Sequence, residues 1–99
     1  MESRRSQNSQ ADITVVTTTY NGLPFLMDAI KSVFSQKFNN FEYVIVDDGS
    51  TDDTSAVVSK LKDTRLRYYK CPRIGRPAAL NYALKEATGT YIANLDADD

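Results

Sequence analysis

The chain has 99 residues, 41% hydrophobic and 25% charged, with 12 basic against 13 acidic side chains and a formal net charge of -1. That composition belongs to a globular domain with a modest core, and the near-neutral charge excludes a nucleic-acid binder working by bulk positive charge. Histidine is absent, which removes any histidine base or zinc ligand, and the single Cys71 cannot close an internal disulfide, as expected in a reducing compartment.

The chain opens on "MESRRSQNSQ", polar throughout and without the apolar core of a signal peptide. Residues 1–11 are expected to form a disordered arm, and residues 12–99 one folded unit. "ITVVTTT" (Ile13 to Thr19) is rich in β-branched residues and predicts a first strand. Leu26, Ile30, Val33 and Phe34 then share one helical face, with Pro24 in a first turn where it is tolerated. "YVIVD" (Tyr43 to Asp47) is a nearly continuous apolar run, the mark of a strand buried on both faces.

Val57, Val58 and Leu61 predict a second helix, with Ser50, Thr51 or Asp52 as its N-cap and Asp52 and Asp53 in its first turn. "LRYYK" (Leu66 to Lys70) reads as a third strand. Leu80, Ala83, Leu84 and Ala87 predict the buried stripe of a third helix, with Pro77 near its start. Gly89 stands where a left-handed residue would end that helix. "TYIANL" (Thr90 to Leu95) is the fourth strand. Alternating strands and helices with short connections imply right-handed crossovers and a parallel sheet, an α/β fold of Rossmann-like type. No apolar run reaches the roughly 20 residues that span a bilayer, so a cytoplasmic location is expected, with membrane contact only through parts of a longer protein.

In such sheets ligands bind beyond the carboxyl ends of the strands. Here the polar residues gather at those ends: "TTYNG" (Thr18 to Gly22), "DDGSTDDT" (Asp47 to Thr54) and "DADD" (Asp96 to Asp99). With strand order 3-2-1-4 the three ends line one cleft, and "KCPRIGRP" (Lys70 to Pro77) adds Arg73 or Arg76 to its rim. Taken singly, each cluster also reads as a turn, a cap or a solvated end. Together they suit a nucleotide, because a carboxylate accepts the N–H of a base or the hydroxyls of a ribose. Three carboxylates packed as in "DADD" repel one another unless water or a cation compensates, and hard divalent ions prefer such oxygen ligands.

"ITVVTTTYNGLPFLMDAIKSVFSQKFNNFEYVIVDDGSTDDT", followed by "GRPAALNYALKEATGTYIANLDADD", resembles the N-terminal half of family-two glycosyltransferases of the GT-A fold. The resemblance implies a nucleotide-diphosphate-sugar donor, with UDP-sugar the first expectation, and Mn²⁺ or Mg²⁺ as the cofactor. Residue by residue, it sets Thr18 (or Thr17), Tyr20 and Asn21 on the floor of the nucleotide site and Asp48, with Asp47 beside it, at the base. Arg76, from the rim, is expected as a further nucleotide contact. Asp96 and Asp98 would meet the ribose and sugar-diphosphate, and Asp98 and Asp99 the cation. Gly75 and Asn81 match the helix-three motif, whereas Leu80 stands where many members carry Arg. The resemblance also implies an inverting transfer whose general base lies beyond Asp99, so this chain alone would be inactive.

Two other readings stay open on the residues alone. One is a non-catalytic nucleotide-binding or regulatory module. The other is a receiver-like signalling domain, although that fold expects an acidic pair after its first strand, where this chain has Thr and Asn.

Overall fold

The computed structural model describes residues 11–37 and 40–95. Four strands, β1 (Ile13–Thr19), β2 (Phe41–Asp48), β3 (Leu66–Cys71) and β4 (Tyr91–Asn94), alternate with three helices, α1 (Leu23–Phe34), α2 (Thr54–Val58) and α3 (Arg76–Glu86). The strands form one sheet in the order β3-β2-β1-β4, and every pairing is parallel. Ile13 aligns with Phe41 and with Tyr91, so the strands start level and their carboxyl ends open onto one rim. This is the expected α/β arrangement, with β2 and β3 longer than expected and β4 shorter.

Every residue of β2 is buried, as a strand with neighbours on both sides and helices on both faces requires. Alternation sorts the side chains. Val15, Tyr43 and Ile45 face α1 and α2, where Leu26, Ala29, Ile30, Val33 and Val58 complete one core. Val16, Val44 and Val46 face α3 and pack on Ala79 and Ala83.

Five details depart from the sequence reading. Ala11, expected in the arm, is only 7% exposed, and the next residue's N–H, that of Asp12, donates to the Asn40 carbonyl. The rest of the proposed arm, residues 1–10, lies outside the described residues. Helix α2 is a short one beginning after Asp53, and neither Asp52 nor Asp53 is in its first turn. Asp52 instead precedes it and accepts both the N–H (3.1 Å) and the hydroxyl of Thr54. Leu61 packs on the core from the turn that follows, which is why the apolar spacing suggested a longer helix.

The buried stripe of α3 is Ala79 and Ala83, while Leu84 is 40% exposed. Small residues mark the centre of this face because they let the helix lie against the sheet, and Leu80 packs at its edge. Gly89 is not left-handed, and α3 gives way at Ala87 to extended backbone. The glycine is needed for room: a Cβ there would stand 2.6 Å from the backbone nitrogen of Thr14.

At the amino ends of the strands lies a polar cluster on the α3 face. Glu42 accepts the hydroxyls of Thr14 (2.7 Å) and Thr88 (2.8 Å) and the Thr88 N–H (2.7 Å), and it pairs with the Arg67 guanidinium. Arg67 also donates to the Glu86 carbonyl at 2.8 Å, which ties the end of α3 to β3. Burial pushes the Glu42 carboxyl up, but the hydrogen bonds from Thr14 and Thr88 and the charge of Arg67 outweigh it and hold it below its ordinary value. No helix among the described residues is long and apolar enough to cross a membrane.

Candidate functional site

A cleft of about 140 Å³ opens beyond the carboxyl ends of β1 and β2, lined by Thr18, Thr19, Tyr20, Asp48, Arg73 and Arg76. Strand β1 delivers the two threonines, and the chain leaving it delivers Tyr20. Strand β2 ends on Asp48, the loop after β3 brings Arg73, and Arg76 opens α3.

Asp48 is 2% exposed, and donors surround its carboxylate. One oxygen accepts the N–H of Ile74 (2.7 Å) and of Gly75 (3.2 Å); the other accepts Gly75 N–H (3.1 Å) and an Arg73 guanidinium N–H (2.8 Å). This residue therefore anchors the loop after β3 as well as forming a wall of the cleft. The Arg73 guanidinium lies 3.6 Å from the centre of the Tyr20 ring. Gly49 makes this approach possible, since at its φ of +78° a side chain is disfavoured and a Cβ would stand 2.8 Å from the Arg73 nitrogen.

Asp47 turns to the opposite face of β2 and does not line the cleft. It is fully buried, accepting the Ser50 N–H at 2.8 Å and the Tyr68 hydroxyl. Burial, followed by that hydrogen bond and the charge of Asp47, pushes the Tyr68 phenol well above its ordinary value. Thr17 is likewise beneath the cleft, bonded to Tyr43 (2.8 Å) and to the Leu95 carbonyl (2.7 Å). Asn21 adopts a left-handed φ of 51° and uses its carbonyl oxygen to accept the N–H of Thr51 (2.8 Å) and Asp52 (3.2 Å). Its own N–H donates to the Ser50 hydroxyl at 2.9 Å, so it joins the loops after β1 and β2.

Of the residues singled out for the nucleotide, the cleft thus gathers Thr18, Tyr20, Asp48 and Arg76, and leaves out Thr17, Asn21 and Asp47. Asp96, Asp98 and Asp99 lie outside the described residues. Sequence reasoning missed Thr19. It is 3% exposed, and its hydroxyl is the one buried side-chain polar atom without a hydrogen-bond partner among the described residues. No sequence signal separates it from Thr18; only the bend after β1 does.

Among the described residues no three His, Cys, Asp or Glu side chains converge as a metal site. The carboxylates of Asp47 and Asp48 are committed to protein donors. Among the residues singled out, the carboxylates that remain for a hard divalent ion are those of Asp96, Asp98 and Asp99, outside the described residues.

Residues 14–99 match Glycosyl transferase family 2. An "uncharacterized glycosyltransferase" of Rickettsia felis is 46% identical over 88% of this chain, which spans 15% of that protein. The Escherichia coli UDP-Glc:alpha-D-GlcNAc-diphosphoundecaprenol beta-1,3-glucosyltransferase WfaP is 40% identical over 88% of the chain, which spans 35% of it. Among solved structures, S. aureus TarS 1-349 in complex with UDP-GlcNAc superposes with a TM-score of 0.81 at 33% identity, over 88% of this chain and 26% of that one. The mannosyltransferase PcManGT from Pyrobaculum calidifontis, in complex with GDP-Man and Mn²⁺, gives a TM-score of 0.80 at 32% identity, over 90% and 28%. The family match runs from Thr14 in β1 to the last aspartate, and the chain belongs to glycosyl transferase family 2.

Proposed function

We propose that this chain is the donor-binding part of a glycosyltransferase and that its cleft takes the nucleotide of a nucleotide-diphosphate sugar, a UDP-sugar in first place. One observation carries the reading: the Tyr20 ring, the Asp48 carboxylate and the unpartnered Thr19 hydroxyl meet in one cleft at the carboxyl ends of β1 and β2. A planar base stacks on the tyrosine face, and its N–H edge donates to the aspartate. Arg76 supplies positive charge on the side where a diphosphate would lie. The resolved relatives with UDP-GlcNAc and with GDP-Man and Mn²⁺ support a nucleotide sugar as the ligand class.

In this reading Asp96 and Asp98 meet the ribose and diphosphate, and Asp98 and Asp99 hold Mn²⁺ or Mg²⁺. Bound there, the cation would offset the negative charge of the leaving diphosphate. The chain's own described residues bind and orient. None of them is a base: the one carboxylate in the cleft, Asp48, already accepts hydrogen bonds from the loop. The base for an inverting transfer is therefore assigned to a part of the protein other than these residues. The same holds for contact with a membrane, which we place at the cytoplasmic face. Nucleic acid is not a partner in this reading.

Calorimetric titration with UDP, with and without Mn²⁺, tests the proposal. Binding should be strengthened by Mn²⁺ in the wild type, and Asp99→Ala, which removes a cation ligand but no nucleotide contact, should reduce that gain while leaving the metal-free affinity. Metal-independent binding in the wild type would remove the cation from the reading. No binding of UDP or GDP under either condition would remove the donor site itself.

A further inference from the structure

Arg73 occupies the contacts that the nucleotide reading gives to a base. Its guanidinium lies against the Tyr20 ring at 3.6 Å and donates to Asp48 at 2.8 Å. A guanidinium is planar, delocalised and edged with N–H donors, as a nucleobase edge is in part. Another planar layer needs about 3.5 Å of clearance on each side. There is no such space between Arg73 and Tyr20.

The backbone that carries this side chain is fixed. Asp48 holds the N–H groups of Ile74 (2.7 Å) and Gly75 (3.1 Å), and the Arg73 nitrogen packs against Gly49 so closely that a Cβ there would stand 2.8 Å away. The side chain itself is 55% exposed, with solvent to swing into. A movable cation on a rigid mount sits over the ring face and carboxylate of the cleft.

We propose that Arg73 is a resident competitor for the base: it fills the Tyr20–Asp48 position in the empty protein and must leave before a nucleobase enters. The proposal rests on the reading of the cleft as a nucleotide site. Two consequences follow. Ligands are selected by whether they replace both contacts, a flat face and an N–H edge, so a phosphate or a sugar alone does not displace the arginine. Removing the side chain leaves Asp48 anchored by Ile74 and Gly75 and opens the site without unmaking it.

The test titrates uridine, guanosine and thymidine into the wild type and into Arg73→Ala, with Arg73→Gln as a second variant and thermal unfolding as the folding check. Nucleosides lack phosphate, so the lost positive charge does not confuse the result. The best-binding nucleoside should bind Arg73→Ala about three- to thirtyfold more tightly, the size expected from releasing one cation–π contact and one half-exposed ion pair. Added salt should tighten nucleoside binding by the wild type, because it screens the Arg73–Asp48 pair, and should leave Arg73→Ala unchanged. Equal or weaker binding by both variants, in a protein whose wild type binds, overturns the competitor and leaves the nucleotide site standing. Failure of every nucleoside with wild type and variants alike overturns both.

Discussion

The Thr17 hydroxyl donates to the carbonyl of Leu95 at 2.7 Å, joining β1 to the residue just before the acidic run across 78 positions of sequence. A hydroxyl has one proton to give, so the Tyr43 phenol is the donor in its 2.8 Å contact with Thr17. Burial raises the Tyr43 phenol above its ordinary value, so it keeps its proton and can serve as this donor. Thr17→Val should cost about 1–3 kcal/mol, since it strands a buried phenol and a carbonyl at once. Hydrogen exchange should speed up first at the Leu95 N–H, the donor to the Val16 carbonyl. An unchanged exchange rate there would show that β4 holds its end without Thr17.

Asp48→Asn should both loosen the loop after β3 and weaken nucleotide binding. An amide keeps one acceptor oxygen where the carboxylate serves Ile74, Gly75 and Arg73, a loss of about 1–3 kcal/mol for a buried group. The loop contacts make Asp48 a structural residue as well as a wall of the cleft. Asp52→Asn, which affects the starts of α2 and α1, should cost about 0.5–1 kcal/mol and leave nucleotide affinity alone. Urea midpoints and UDP titrations on the two variants separate these outcomes, and a reversal of their order would undo the assignment.

The Glu42 cluster should give stability an acid limb. Its folded value lies below the ordinary 4.5, so its contribution is complete above that pH and is lost as pH falls through the lowered value. Glu42→Gln should lower stability by about 1–3 kcal/mol at neutral pH and flatten the curve below the ordinary value. Asp52, held low by its bond to Thr54, and Asp63, held low by Arg65, leave the variant a smaller slope. Urea unfolding from pH 7 downward reads both; parallel curves for the two proteins would rule out Glu42 as a source.

Gly89→Ala should destabilise by about 1–3 kcal/mol through overpacking. The new Cβ would meet Thr14 N at 2.6 Å, and β1, hydrogen-bonded on both sides, has nowhere to move. A urea midpoint equal to the wild type would mean that the turn before β4 shifts instead.

Strand β4 pairs with β1, and among the described residues nothing pairs with its other edge. Tyr91 is 70% and Ile92 49% exposed on it. Such an edge favours self-association, so sedimentation of the 99-residue chain should show a mass that rises with concentration, and Tyr91→Lys should suppress the rise. A wild type that stays monomeric at high concentration counts against it.

Strand order and the place of the cleft were legible because they depend on coarse signals: buried apolar runs, and polar residues where the runs stop. The roles of neighbouring residues were less so. Asp47 and Asp48 were paired as one acidic feature, although successive strand residues point to opposite faces, so only one can reach the cleft. Thr17 and Thr18 divide the same way. Asn21 carries a residue type that suits a ligand contact, yet it is spent joining two loops. The hydroxyl of Thr19 and the stacking of Arg73 on Tyr20 depend on how two loops close in space, and no local pattern records that. In α3 the expected stripe held Leu80, Ala83, Leu84 and Ala87; Ala83 is buried and Leu80 packs beside it, but close approach to the sheet selects Ala79 and leaves Leu84 exposed.

The Glu42 cluster and the cleft occupy opposite ends of the same strands. Strands β1, β2 and β3 therefore carry their polar staple at the end away from the cleft. Changes at the rim can then alter what is held there without reaching the ion pair that locks β2, β3 and α3 together. A scaffold with that division can change its rim while its foundation stays the same.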